Sequence, residues 1–208
     1  METILIADDH AIVRRGIRLI LDNLPQKYHY IEATTCAEVH KALYSHQVKY
    51  AVLDMYLTDG NVFANIEQYP ECYRNIRILA YSMNAERIYG PRLIKKGVRG
   101  FINKQASIEE LETALRALMK GEVYLSDKLK EILLQATING YTKSPIDFLS
   151  DRELEVVQYV AAGIGSKAIA HQMNIDITTV STYRRRAFEK LDVQNAIELK
   201  EKFLAYKM

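Results

Sequence analysis

Two periodicities alternate along the first half of the chain. Ile4-Leu5-Ile6-Ala7 is a short unbroken apolar run, and Val13, Ile17, Ile20, Leu21 and Leu24 then recur at helical spacing. A continuous apolar run of this length fits a strand buried on both faces, and a recurrence every three to four residues fits a helix with one apolar stripe. The alternation repeats: Tyr30 to Thr34 predicts a second strand, Ala51-Val52-Leu53 a third, Ile76 to Tyr81 a fourth and Arg99 to Ile102 a fifth. Thr35-Cys36-Ala37-Glu38 has the form of a capping box opening a helix with Val39 and Leu43 inward. Ser107-Ile108-Glu109-Glu110 has the same form before a helix carrying Ile108, Leu111, Leu115 and Leu118, which Gly121 stops. Gly90-Pro91 interrupts the segment after the fourth strand. Proline in a helix interior costs about 3 kcal/mol, so the helix there is expected to be short, to begin near Pro91 and to follow a long loop from Ser82. Five strands alternating with helices predict an α/β doubly wound five-stranded parallel sheet with helices on both faces.

Beyond Gly121 only helical patterns remain. Ser126 to about Ile138 predicts one helix with Leu129, Ile132 and Leu133 on a face, and Asn139-Gly140 with Thr142 to Pro145 reads as linker. Ser150-Asp151-Arg152-Glu153 is a third capping box, opening a helix that runs to Gly163. A short helix over Ser166 to Met173 ends at Asn174, a longer one runs from Ile177 to Leu191 with Asp176 as N-cap, and a last one from Asn195 to about Tyr206. Ile169, Ala170 and Met173 form one inward face, and Val180, Tyr183, Ala187 and Leu191 another. Two such helices joined by Asn174-Ile175-Asp176 make a small all-α helix-turn-helix unit. The expected organisation is therefore an α/β domain over 1–121, a linker with a helix over 122–147, and a helical domain over 148–208.

Composition narrows the classes. The chain has 208 residues, of which 49% are hydrophobic and 26% charged, which excludes disorder. Lys and Arg number 28 against 26 Asp and Glu, so any nucleic acid must be met by a local basic patch and not by a polybasic tail. No apolar run approaches the roughly 18 residues of a membrane span, and with no basic n-region and following apolar stretch at its start a secretory signal is not expected. Two cysteines, Cys36 and Cys72, lack metal spacing and fit ordinary small hydrophobes in a reduced cytoplasm.

The polar residues at the strand ends carry the first candidate chemistry. In a doubly wound sheet, ligands sit beyond the carboxyl ends of the strands at a switch point. Asp8 and Asp9, Asp54, Ser82 and Lys104 all fall at or just beyond such ends. Crowded carboxylates repel one another unless a cation lies between them, and hard oxygen ligands with open positions suit Mg²⁺. A lysine opposite can neutralise phosphoryl oxygens and a serine hydroxyl can donate to one. Together these groups could transfer a phosphoryl group onto a carboxylate oxygen.

The second candidate is a basic face. Between Gly165 and Lys190 five Lys/Arg stand against two Asp/Glu. The outward side of the second helix of the pair presents Thr178, Ser181, Thr182 and Arg185, with Arg184, Arg186 and Lys190 beside them. Hydroxyls at a helix N-terminus suit phosphates, and arginine reaches guanine edges in the major groove.

These residues resemble a known family over the whole chain. Asp8-Asp9-His10 followed by Val13-Arg14-Arg15-Gly16, with Asp54, Ser82 and Lys104, resembles a flavodoxin-like response-regulator receiver of the NarL/FixJ family. Leu149-Ser150-Asp151-Arg152-Glu153, Gly163, Lys167-Ala168-Ile169-Ala170, Thr179-Val180 and Lys190-Leu191 resemble a LuxR-type DNA-binding domain. The resemblance implies that Asp54 is the phosphoacceptor. It makes Asp9 a direct Mg²⁺ ligand, Asp8 a ligand through water, and Asp54 and the Tyr56 carbonyl further ligands. It makes Ser82 the switch hydroxyl, Phe101 the switch aromatic and Lys104 the phosphoryl-binding lysine. In the second domain Ser181, Thr182 and Arg185 match base-facing positions, while Lys167, Thr178 and Lys190 match positions near phosphates. The sequence departs from the family pattern at Thr58, where proline is usual, at Val62, where glycine is usual, and at Ala168, Tyr183 and Asn195-Ala196 in the second domain.

The function implied is that of a transcription regulator of a two-component system. A sensor histidine kinase would phosphorylate Asp54 in the cytoplasm, with Mg²⁺, and a homodimer would bind double-stranded DNA. The alternative is a phosphorylation-independent regulator that uses its receiver only to dimerise, against which the intact acidic pair, acceptor, hydroxyl and lysine argue. A phosphohydrolase would want a second carboxylate two residues after its nucleophile, and Tyr56 stands there, so no enzyme is expected.

Overall fold

The computed structural model describes residues 1–64, 75–138 and 144–207, with the backbone alone for 136–138. The chain forms two compact units, Met1–Lys130 and Glu131–Met208. Cys72 and the linker positions Asn139, Gly140 and Thr142 lie outside the described residues.

In chain order the first unit holds β1 (Glu2–Ala7), α1 (Ala11–Asp22), β2 (Tyr28–Ala33), α2 (Cys36–Ser45), β3 (Val48–Leu53), β4 (Tyr56–Leu57), β5 (Gly60–Asn61), β6 (Arg77–Ser82), α3 (Glu86–Lys95), β7 (Gly100–Asn103) and α4 (Ile108–Lys120). Five strands pair in parallel in the order β2-β1-β3-β6-β7, which confirms the doubly wound sheet. The chain grows first to one side of β1 and then crosses to the other, so the switch point lies between β1 and β3. Ile4, Ile6, Val52, Leu79 and Ile102 from the strands pack with Ile17 and Leu21 of α1 and Leu111, Leu115 and Leu118 of α4 in one buried cluster. Burying each such side chain is worth about 1.5–3 kcal/mol, which fixes the strand ends on which the polar residues stand. The turn at Asp59-Gly60-Asn61 closes a small antiparallel hairpin of β4 and β5.

One expectation is overturned. The helix after the fourth strand does not begin near Pro91 behind a long loop: α3 starts at Glu86 and carries Pro91 as its sixth residue. The hydrogen bond that Pro91 lacks is offset by burial, since Ile88, Tyr89, Pro91 and Leu93 are all buried. Gly90 has its own reason. A Cβ there would stand 3.0 Å from both terminal methyls of Leu129, which is fully buried at the start of α5 (Asp127–Ile138).

Side-chain caps settle the starts of α2, α4 and the helix Asp151–Ala161. Thr35 and Ser107 each accept the N–H three residues on, from Glu38 and Glu110. Neither is a full capping box: Glu38 turns to the N–H and hydroxyl of Thr34, and Glu110 accepts from the Tyr124 hydroxyl. Ser150 and Glu153 do form the reciprocal pair. Ser144 and Asp147 form another at the 3₁₀ turn Pro145–Phe148, within and beside the segment read as linker.

The second unit contains α6 (Asp151–Ala161), α7 (Ser166–Met173), α8 (Ile177–Leu191) and α9 (Ala196–Lys207). Leu154, Val157, Ile169, Met173, Val180, Ala187, Leu191, Leu199 and Phe203 are its core. Asn174 ends α7 in the left-handed region at φ 51°, which gives the tight turn into α8. Asp176 stands at the N-cap of α8 but caps with its carbonyl, not its side chain. No helix among the described residues is long and apolar enough to cross a membrane.

Candidate phosphoacceptor pocket and nucleic-acid interface

Ladder hydrogen bonds carry the pocket residues past their strands. Asp8 N–H donates to the Ala33 carbonyl, Asp54 N–H to Ala7 and Lys104 N–H to Ser82, so neighbouring strands fix three functional backbones. Three side chains then converge. Lys104 Nζ donates to Asp54 Oδ2 at 2.6 Å and faces Asp8 Oδ2 at 2.6 Å as an ion pair. Asp8 is 1% exposed, and its Oδ2 receives no aligned hydrogen bond among the described residues. Burial lifts the Asp54 carboxyl above the ordinary carboxylate range, aided by the charge of Asp8 and opposed by Lys104 and the Tyr56 N–H. For Lys104 burial works to lower the pKa, but bonding to Asp54 and Asp8 and their charges outweigh it and hold the amine above its usual value.

Around this centre the other expected residues take distinct places. Asp9 is exposed, and His10 Nδ1 lies 2.7 Å from its Oδ1 and 3.2 Å from Asp8 Oδ1. Tyr56 is half-buried and donates its N–H to Asp54 Oδ1 at 3.4 Å. Ser82 is buried, and its Oγ accepts from Asn84 Nδ2 at 2.9 Å. Phe101 is buried in β7, paired in register with Ala80.

Sequence reading missed three members of the pocket. His10 stands out in the sequence only as part of the Asp8-Asp9-His10 run. Arg14, which donates to the Asp8 carbonyl at 2.8 Å and to Glu32, stands out in the sequence only within the Val13-Arg14-Arg15-Gly16 run. Asn84 had no signal beyond standing two residues after Ser82.

The residues fit a divalent cation. Asp8, Asp9 and His10 can each bring one donor atom within 4.8 Å of one another. The Lys104 ammonium already stands between buried carboxylates, and Asp8 Oδ2 is shut off from water with acceptor capacity left. Such a set of hard oxygens suits Mg²⁺, although the imidazole at its rim also has affinity for softer ions.

The basic face is built differently. Lys167, Thr178, Ser181, Thr182 and Arg185 are exposed. The Ser181 and Thr182 hydroxyls donate to the carbonyls of Ile177 and Thr178 at 3.0 Å, within their own helix. Arg185 reaches Glu189 one turn on at 2.6 Å, and Arg184 is half-buried with its guanidinium 5.1 Å from the Phe188 ring centroid. Lys190 is engaged elsewhere: its Nζ lies 2.6 Å from Glu153 Oε2, the carboxylate that also accepts the Ser150 N–H. Burial pushes the Glu153 carboxyl up, but Lys190 and Ser150 outweigh it and hold it below its ordinary range. Two residues on, the Glu155 carboxyl is raised by burial against the pull of Arg152.

Comparison with known proteins covers both units. Residues 4–116 match the family described as response regulator receiver domain, and residues 147–202 match bacterial regulatory proteins of the luxR family. The oxygen regulatory protein NreC of Staphylococcus haemolyticus is 30% identical over 99% of this chain and 98% of its own. Response regulator UvrY of Escherichia coli is 27% identical over 96% of this chain and 92% of its own. Among solved structures, RcsB of Salmonella enterica serovar Typhimurium, bound to promoter P1flhDC in the presence of the phosphomimetic BeF₃⁻, superposes with a TM-score of 0.72 at 26% identity, covering 99% of this chain and 98% of that one.

Proposed function

This chain belongs to the NarL/FixJ response regulators, a family of transcription regulators and not of enzymes, and from that premise we propose that phosphorylation of Asp54 governs its binding to DNA. The observation that carries the reading is the convergence of Lys104 on Asp54 and Asp8 at the switch point of the sheet, in a chain that also carries a helix-turn-helix unit.

The acceptor step is a transfer between nucleophiles. A carboxylate oxygen of Asp54 bonds to phosphorus as the bond to a histidine nitrogen of the sensor kinase breaks, and the histidine leaves. Asp9 would hold Mg²⁺ directly and Asp8 through water, with Asp54 and the Tyr56 carbonyl as further ligands. When bound, the ion supplies positive charge to the phosphoryl oxygens and removes the repulsion among the carboxylates. Lys104 moves from carboxylate to phosphoryl oxygen, keeping its charge throughout. The Ser82 hydroxyl already accepts from Asn84, so its own proton remains to be donated to the phosphoryl group. Phe101, behind it in β7, repacks with that movement.

The domains fall at 1–121 for the receiver, 122–147 for the linker and 148–208 for the DNA-binding part. Arg185 reads bases, with Ser181, Thr182 and Arg184 beside it. Lys167 and Thr178 meet phosphates, and Lys190 does so only while it also holds Glu153. The active form is a homodimer on double-stranded DNA in the cytoplasm. Incubation with radiolabelled acetyl phosphate and Mg²⁺ tests the acceptor: an acyl-phosphate label should appear on the wild type and vanish in Asp54→Asn, whose amide is a far weaker nucleophile. Equal labelling of the two would overturn the assignment.

A further inference from the structure

The hairpin of β4 and β5 begins two residues after Asp54, and it is tied to the start of α2 through its tip. Asp59, at its tip, lays its carboxylate across the start of α2: Oδ1 accepts the Cys36 N–H at 2.5 Å and Oδ2 the Ala37 N–H at 3.1 Å. These are first-turn amides with no partner inside the helix, and a carboxylate there also meets the positive end of the helix dipole. The contact holds the Asp59 carboxyl below its usual range despite partial burial. Thr58 adds a longer hydroxyl contact to the Thr34 carbonyl at 3.5 Å. The other end of the hairpin is closed by Val62 N–H on the Met55 carbonyl. Tyr56, whose N–H reaches Asp54 Oδ1, therefore lies between two anchors.

Gly60, at φ 142°, lets the hairpin turn, but neither Thr58 nor Val62 restricts or frees the backbone as proline or glycine would, so the place of this loop depends on what its side chains hold. We propose that Asp59 is a positioning residue for the acceptor: by pinning the hairpin to the N-terminus of α2 it holds the Tyr56 main chain where that chain can orient Asp54 and offer its carbonyl to Mg²⁺. The inference rests on the pocket reading above.

The test separates this role from a merely structural one. Thr35→Ala is the control, because it removes another cap from the same helix end without touching the hairpin. MgCl₂ is titrated calorimetrically into the full chain, and phosphorylation from acetyl phosphate is timed at limiting and saturating Mg²⁺. Asp59→Ala should raise the Mg²⁺ Kd roughly 10-fold, the lower end of what loss of an outer support costs a metal site. Its slow phosphorylation should recover at saturating Mg²⁺. Asp59→Asn, which keeps one amide-accepting oxygen, should show a smaller rise, and it carries the test should Asp59→Ala not fold. Thr35→Ala should lower the melting temperature and leave the Kd unchanged. An unchanged Kd in both Asp59 variants, or an equal rise in Thr35→Ala, would overturn this inference alone. A wild type that takes up no Mg²⁺ would overturn the pocket reading and this inference with it.

Discussion

In the acceptor pocket the charges are inside the protein and answer one another: Asp8 is 1% exposed, and Lys104 stands 2.6 Å from both Asp8 and Asp54. On α8 the charges are outside, and among the described residues Arg185 is answered by Glu189 one turn along its own helix. Buried charges stripped of a partner are costly, whereas an exposed pair separates for a few tenths of a kcal/mol. The pocket is thus poised so that one added group disturbs every charge in it. The helix face is poised so that its side chains can leave their present partners for others. Lys190 crosses this division. It lies on the exposed helix, yet its partner Glu153 is a buried residue of α6.

The comparison can be broken most forcefully at Lys104. Lys104→Ala leaves two buried carboxylates without their cation, and removal of one partner of a buried pair costs about 3–5 kcal/mol. The melting temperature without divalent ions should fall accordingly, and millimolar Mg²⁺ should restore part of it. No loss, or no recovery with Mg²⁺, would mean that the pocket charges are not interdependent.

Lys190→Ala comes next. Lys190 is half exposed, so water screens part of the deficit, and about 1–2 kcal/mol of stability should be lost. Lys167→Ala, on an exposed side chain, should stay within about 0.5 kcal/mol. The pH dependence has a definite sign. Glu153 has its folded pKa below the unfolded one, so the pair stabilises fully above the unfolded value and loses that stabilisation as pH falls through the folded one. The gap between wild type and Lys190→Ala should be full at neutral pH and close in acid. A gap that widens in acid would contradict the pairing.

The smallest effect on stability, and the sharpest on specificity, belongs to Arg185. Arg185→Ala should leave the melting temperature nearly unchanged but narrow the gap between operator and random DNA by about 1–3 kcal/mol. Arg184→Ala should narrow it less, since that guanidinium lies against Phe188. If binding-site selection returns the wild-type preference for both variants, the reading face lies elsewhere on the helix.

What the sequence shows about this molecule is what is local in it. Apolar runs, strand ends and helix faces are local, so the parallel sheet and the placing of Asp8, Asp54 and Lys104 at strand ends are legible in the sequence, while the order of the strands is seen only in the structure. The choice among competing partners is not local. Glu38 and Glu110 sit at capping-box spacing and still turn to Thr34 and Tyr124. Pro91 stops an isolated helix, but in α3 it is carried by the burial of Ile88, Tyr89 and Leu93 around it. Lys190 reads as one more basic residue on an exposed helix until α6 is placed against α8. Asp59 reads as a turn residue until α2 presents its first amides.

The central claim is that a phosphoryl group on Asp54 sets DNA binding, and beryllofluoride tests it most directly. DNA affinity and elution volume of the full chain are measured with Mg²⁺, with and without beryllofluoride, for the wild type and Asp54→Asn. The account predicts that beryllofluoride tightens DNA binding and brings the wild type to earlier elution as a dimer, while Asp54→Asn responds in neither. A wild type indifferent to beryllofluoride, or an Asp54→Asn variant that responds as the wild type does, would contradict it.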